Sequence, residues 1–171
     1  MIFKDFGHWL CFLALGFITP AHGDPTIDDV GHFVATFPGA VTHDSDVTND
    51  ETGNVKLYET MFASPTGNYT VSYDNIPIPP SATLNVAQVY QSAIQHTITS
   101  DKAKLRTQAQ CTAGAVAGEE YIADVPGTNL VLRCRLFLVG GRLYQVIYAG
   151  FEGSENSDAV TGFLDSFRVL R

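Results

Sequence analysis

Glu119-Glu-Tyr-Ile-Ala-Asp-Val-Pro-Gly-Thr-Asn-Leu-Val-Leu-Arg-Cys-Arg-Leu-Phe-Leu-Val-Gly-Gly-Arg-Leu-Tyr-Gln-Val-Ile-Tyr-Ala149 holds three strand-like runs separated by two turn signals. Tight turns fix strand register. With Gly127-Thr128 as a two-residue loop, Glu120 faces Arg135, Ile122 faces Arg133 and Asp124 faces Val131. With Gly140-Gly141 as the next, Phe137 faces Tyr144, Arg135 faces Val146 and Arg133 faces Tyr148. Side chains alternate across a strand, so these residues share one face. The other face then carries Tyr121, Ala123, Leu132, Cys134, Leu136, Leu138, Leu143 and Ile147. So apolar a surface must be covered by another layer.

Working outward, turn residues cut most of the chain into short extended runs. Strands are predicted at 32–37, 41–48, 55–63, 68–75, 104–112, 119–125, 130–139 and 142–149. Two segments have a helical period instead. Ser81–Thr99 carries Val86, Val89, Tyr90, Ala93, Ile94, Thr97 and Ile98 on one stripe after Pro79-Pro80, which makes it the natural cover for the apolar face. Asn156–Phe167 repeats the pattern with Ala159, Val160, Phe163, Leu164 and Phe167, weakened by Gly162. The expected class is α+β, an antiparallel β-sheet packed between helices.

The N-terminus reads as an address. Lys4, the apolar run Trp9–Ile18 and the small-residue site Ala21-His22-Gly23 form a signal peptide over 1–23, leaving 24–171 as a single domain of a size that buries its own core. The apolar run is too short to span a bilayer. Leu10 before Cys11 stands where lipid attachment needs a small residue. The expectation is a periplasmic or secreted protein with no stable membrane anchor after cleavage. Lys4 and Asp5 cancel, so the remaining chain keeps the net charge of −8. Such a field repels nucleic acid and anionic lipid.

Cys111 and Cys134 invite a disulfide in an oxidising compartment. The register argues against it: with Cys111 near Tyr121, the thiols sit two strands apart, at about twice the ~4.8 Å strand spacing, whereas bonded cysteines need Cα atoms within ~7 Å.

The order Phe37-Pro-Gly39, Tyr69-Thr-Val-Ser-Tyr-Asp74, Gly114 with Gly118-Glu-Glu120, Arg133-Cys-Arg-Leu-Phe137, Gly141-Arg-Leu-Tyr-Gln-Val146 and Phe163-Leu-Asp-Ser-Phe167 resembles a group of exported bacterial proteins of unknown function. Its pattern is similar to the PsbP-like fold, shared with an extrinsic photosystem subunit and a Ran-binding nuclear-import protein. That resemblance implies an α/β/α sandwich and a non-enzymatic, partner-binding role. It carries over no functional residues, because such relatives bind different partners with different surfaces.

Candidate sites are few. Arg133 and Arg135, beside Tyr144, Tyr148 and Phe137, could hold an anionic or aromatic ligand. The competing reading is an ion-pair ladder, with Glu120 opposite Arg135 and Asp124 diagonal to Arg133. His43–Glu51 concentrates carboxylates but lacks the sixth-position glycine and twelfth-position glutamate of a calcium loop, so it reads as a solvated hairpin. No metal site and no cofactor are expected, since His32, His43 and His96 are scattered. No serine lies in a nucleophile-elbow motif, and Cys134, between Leu132 and Leu136, should be inert. The glycan-acceptor triplet Asn68-Tyr69-Thr70 opens a predicted strand. The expected function is binding of a protein or envelope component. The alternative is a small periplasmic hydrolase, favoured if a pocket gathers a histidine, a carboxylate and a hydroxyl.

Overall fold

The computed structural model describes residues 23–50, 53–76 and 84–170. Residues 1–22 of the leader lie outside these residues, as does the 81–83 start of the first predicted helix. Among the described residues, ten strands and two helices follow one another as β1 (Pro25–Asp28), β2 (Phe33–Thr36), β3 (Thr42–Asp50), β4 (Gly53–Ser64), β5 (Gly67–Asn75), α1 (Val86–Ser100), β6 (Lys104–Ala113), β7 (Val116–Val125), β8 (Leu130–Val139), β9 (Arg142–Phe151), α2 (Asp158–Ser166) and β10 (Arg168–Val169). The class is α+β. A seven-stranded sheet runs β3-β4-β5-β9-β8-β7-β6, and a small sheet runs β1-β2-β10.

The register deduced from the glycine turns is the one observed: Glu120↔Arg135, Ile122↔Arg133, Asp124↔Val131, Phe137↔Tyr144, Arg135↔Val146 and Arg133↔Tyr148. Gly140 and Gly141 both have positive φ, 59° and 84°, as a two-residue hairpin loop that follows the strand twist requires. The apolar face meets α1. Tyr121, Ala123, Cys134, Leu136, Leu143 and Ile147 are buried with Val89, Tyr90, Ala93 and Ile94 in one core. The Tyr90 hydroxyl accepts from Leu138 N and donates to the Ala117 carbonyl, which ties the helix to the ends of β7 and β8. This helix starts at Val86 rather than Ser81, because the Asn85 side chain accepts from Gln88 N and caps it.

The opposite face is covered differently from the expected helical layer. α2 shares it with β2 and β10, and Phe33, Ala35, Phe37, Val160, Phe163, Leu164 and Phe167 pack there against Val71, Tyr73, Phe137, Tyr144, Val146 and Tyr148. A helix lies on one face, then, and a helix with a three-stranded sheet on the other. Ser157 caps α2 by accepting from Val160 N. Gly162 is exposed on this helix, and a Cβ added there would meet nothing within 4 Å. Gly162→Ala should therefore raise stability by about 0.5–1 kcal/mol, read as a higher urea midpoint at unchanged slope.

Candidate functional site

The arginine-aromatic face lies inside the protein. Arg133 is 9% exposed and donates to both Glu120 carboxylate oxygens, the Glu155 carbonyl, Asn156 Oδ1 and Thr161 Oγ1. Arg135 bonds Glu120 Oε2 and Asp165 Oδ1. Tyr144 and Tyr148 are buried in the core, and their hydroxyls donate to the carbonyls of Gly31 and Thr66. One part of the expected ladder differs. Asp124 pairs with Arg106, and Glu120 lies between the buried Arg133 and the largely buried Arg135 guanidiniums. The four candidate residues come together, but their polar groups are turned to protein partners, save the buried Arg133 Nε, which has none.

Cys111 and Cys134 are both free. The two-strand separation holds, although Cys111 faces Gly118 while Tyr121 faces Gln108. A second reason was not visible from spacing: Cys111 packs into the core under α2 and Cys134 into the core under α1, on opposite faces of the sheet. Burial pushes the Cys111 thiol up to about 11 and raises that of Cys134 further, so neither is an activated thiolate. The denatured 24–171 chain should titrate two thiols, and the native chain should react far more slowly. A denatured count of zero would contradict this geometry.

Among the described residues, no three His, Cys, Asp or Glu side chains gather to hold a metal ion. In the acidic stretch, Asp44 and Asp46 each accept from the amide of the following residue, Ser45 at 2.8 Å and Val47 at 2.9 Å. Glu51 lies outside the described residues. His96 is a half-buried helix residue whose Nε2 is 2.9 Å from Ser100 Oγ. His32 is exposed in a turn at φ 54°.

The site that sequence reading missed is an open groove of about 530 Å³ between the end of β1 with its following turn and the edge of the large sheet. It is lined by Ile27, Asp28, Asp29 and Val30 on one side and His43, Ser45, Tyr58 and Tyr73 on the other. Asp44 and Glu59 also border it, but strand alternation turns their side chains to the other face. The groove's own carboxylates are thus Asp28 and Asp29, while the Lys56 ammonium and the Arg142 guanidinium lie over the Tyr58 and Tyr73 rings, 4.6 and 4.9 Å from their centroids. Tyr58 and Tyr73 stack with centroids 4.8 Å apart. Ile27 and Val30 stand out from the rim, 63% and 64% exposed.

A hydrogen-bond chain fixes one wall. Asp28 Oδ1 accepts from Gly31 N and Oδ2 from the Thr60 hydroxyl, and Thr60 Oγ1 is 3.0 Å from His43 Nδ1. An ionised carboxylate only accepts. Thr60 therefore uses its proton on Asp28 and accepts from His43, which puts a ring proton on Nδ1. The signal that could have revealed β1 is the alternation in Pro25-Thr-Ile-Asp28, too short to stand apart from the leader boundary.

The chain matches the solution structure of cyanobacterial PsbP (CyanoP) from Synechocystis with a TM-score of 0.61, covering 91% of this chain and 97% of that one. The fold is PsbP-like. Sequence identity across the match is 13%, so the PsbP-like likeness concerns architecture alone. None of the family models matches the sequence, and neither does any curated protein. Among the described residues of this PsbP-like domain, no helix is long and apolar enough to cross a membrane.

Proposed function

We propose that this chain is an exported, non-enzymatic binding domain that recognises a protein or envelope component through the groove between β1 and β3. The observation that carries the reading is the pairing of exposed Ile27 and Val30 with an aromatic floor and the Asp28 and Asp29 carboxylates. Apolar anchors beside polar groups suit a partner surface. Export rests on the leader, and the net charge of −8 disfavours nucleic acid as the partner.

The test is a photocrosslinker placed at Ile27 or Val30 of the exported protein in cells, with Gln91 on the exposed side of α1 as control. Groove positions should capture one stoichiometric partner. Equal capture from Gln91, or none from the groove, would overturn the assignment. Residue Asp24 should be the mature N-terminus.

A second reading has one observation in its favour: His43 and Asp28 of the groove both reach the hydroxyl of Thr60 beneath its wall. As a hydrolase constellation it runs the wrong way. A nucleophile donates its proton to the histidine, whereas the Thr60 hydroxyl donates to Asp28 and is 1% exposed. Hydrolysis of a chromogenic ester abolished by His43→Gln would favour the enzyme.

A further inference from the structure

One wall of the groove is also a free edge of the large sheet. β3 pairs with β4 residue for residue from Thr42↔Met61 to Asp50↔Gly53 without a bulge, and among the described residues no strand pairs with its other side. Exposed edges template the addition of further strands, and proteins blunt them with bulges, proline or charge. The opposite edge, β6, has a register shift between Leu105 and Thr107, and Arg106 inside it is held by Asp124 and Glu155. β3 has neither bulge nor proline. Its guard among the described side chains is Asp44 and Asp46.

Those two carboxylates also mark which backbone groups face outward. Because Ser45 N and Val47 N donate to Asp44 and Asp46 rather than to β4, the Ser45 and Val47 amides point to the free side. Their carbonyls follow, since both groups of one residue in an antiparallel ladder point the same way. A guard made of charge alone is selective. It repels a second copy of this chain, whose β3 would bring the same two aspartates, and attracts a strand carrying cations.

We propose that β3 accepts an extended, basic segment of a partner protein as an added strand, with its cations toward Asp44 and Asp46 and its apolar side chains toward the groove. This rests on the binding reading above and names its partner's chemistry. Main-chain bonds to Ser45 and Val47 give such strand addition its affinity, and side-chain pockets give specificity. On the face of His43, Ser45 and Val47, an incoming side chain meets Ile27, Val30 and a Tyr58 ring that already carries the Lys56 ammonium, so this face suits an apolar residue. On the other face, partner residues meet Asp44 and Asp46, which release their own amides as the new strand engages them.

The test uses the 24–171 protein and three capped synthetic peptides: an alternating Lys-Val heptapeptide, its Glu-Val counterpart, and the Lys-Val peptide N-methylated on alternate backbone nitrogens. The Lys-Val peptide should bind roughly tenfold tighter than either of the others. Its binding should weaken with added salt, and it should slow hydrogen exchange at Ser45 and Val47. The doubly substituted Asp44→Asn/Asp46→Asn protein should lose about tenfold in affinity. Equal binding of the methylated peptide would reduce the effect to charge and overturn strand addition. So would binding to none of the peptides, or a β3-mediated dimer in sedimentation. Peptide failure with groove crosslinking intact would sink this inference alone; failure of both would sink the binding reading as well.

Discussion

Glu120→Gln should destabilise the domain by about 3–5 kcal/mol, the range for breaking a buried ion pair by removing one partner. Glu120 is the shared anion of two arginines whose side chains are each 11% exposed, and the substitution leaves both guanidiniums facing an uncharged amide. Arg133 would keep the Glu155 carbonyl, Asn156 and Thr161. Arg135 would keep Asp165 at the rim, where the carboxylate is 59% exposed and so screened by water. Arg135→Gln should cost less, because Glu120 keeps Arg133. Urea titrations of both single variants and the double variant separate the coupling from the individual losses. A Glu120→Gln loss below about 1 kcal/mol would mean that the cluster behaves like a solvated surface pair.

That network also shows how far the sequence could be read. Glu120 opposite Arg135 followed from counting back from two glycine turns, because register has only two faces to choose between and one was plainly apolar. The second partner of Glu120 did not follow. Asp124 lay diagonal to Arg133 on the flat sheet, but the loop after β9 brings Glu152 and Glu155 beside Arg106, and Arg106 takes Asp124. Side-chain pairing across a loop has no period to read.

Glycine misled in one place. Gly118 reads as part of a turn from Gly114, yet it lies inside β7 opposite Phe137. A Cβ there would come within 2.5 Å of the Phe137 ring, so the glycine makes room for an aromatic side chain. The turn is Gly114-Ala115 alone, with Ala113 and Val116 already paired, and β7 begins three residues earlier than Glu119.

The groove was illegible for another reason. Its two walls come from residues 27–30 and from strands separated from them by the first core segment, and nothing in the spacing of Asp28, His43 and Thr60 announces that they meet. The small sheet that brings Asp28 to Thr60 has two strands too short to read by alternation, Pro25–Asp28 and Arg168–Val169. Only β2, with Phe33, Ala35 and Phe37 alternating inward, had a legible pattern.

What suspends that groove wall is an aromatic cluster, and its removal is the other large effect expected. Phe167 is fully buried where α2 passes into β10. Its ring stacks on Phe137 at 5.4 Å and lies 5.8 Å from Phe33 and 5.6 Å from Tyr144, so one side chain joins β8, β9 and the small sheet. Phe167→Ala should cost about 3–5 kcal/mol, combining lost transfer energy with the cavity left between rings that are pinned by their own strands. The loss should be uneven. Hydrogen exchange should quicken first in β2 and β10, and through the β1–β2 pairing at Asp28↔Phe33 it should reach the groove. Leu136 and Ile147, packed under α1 in the separate core, should keep their protection until global unfolding. Uniform loosening of both faces would mean that the two cores melt as one unit and that the groove wall has no independent support.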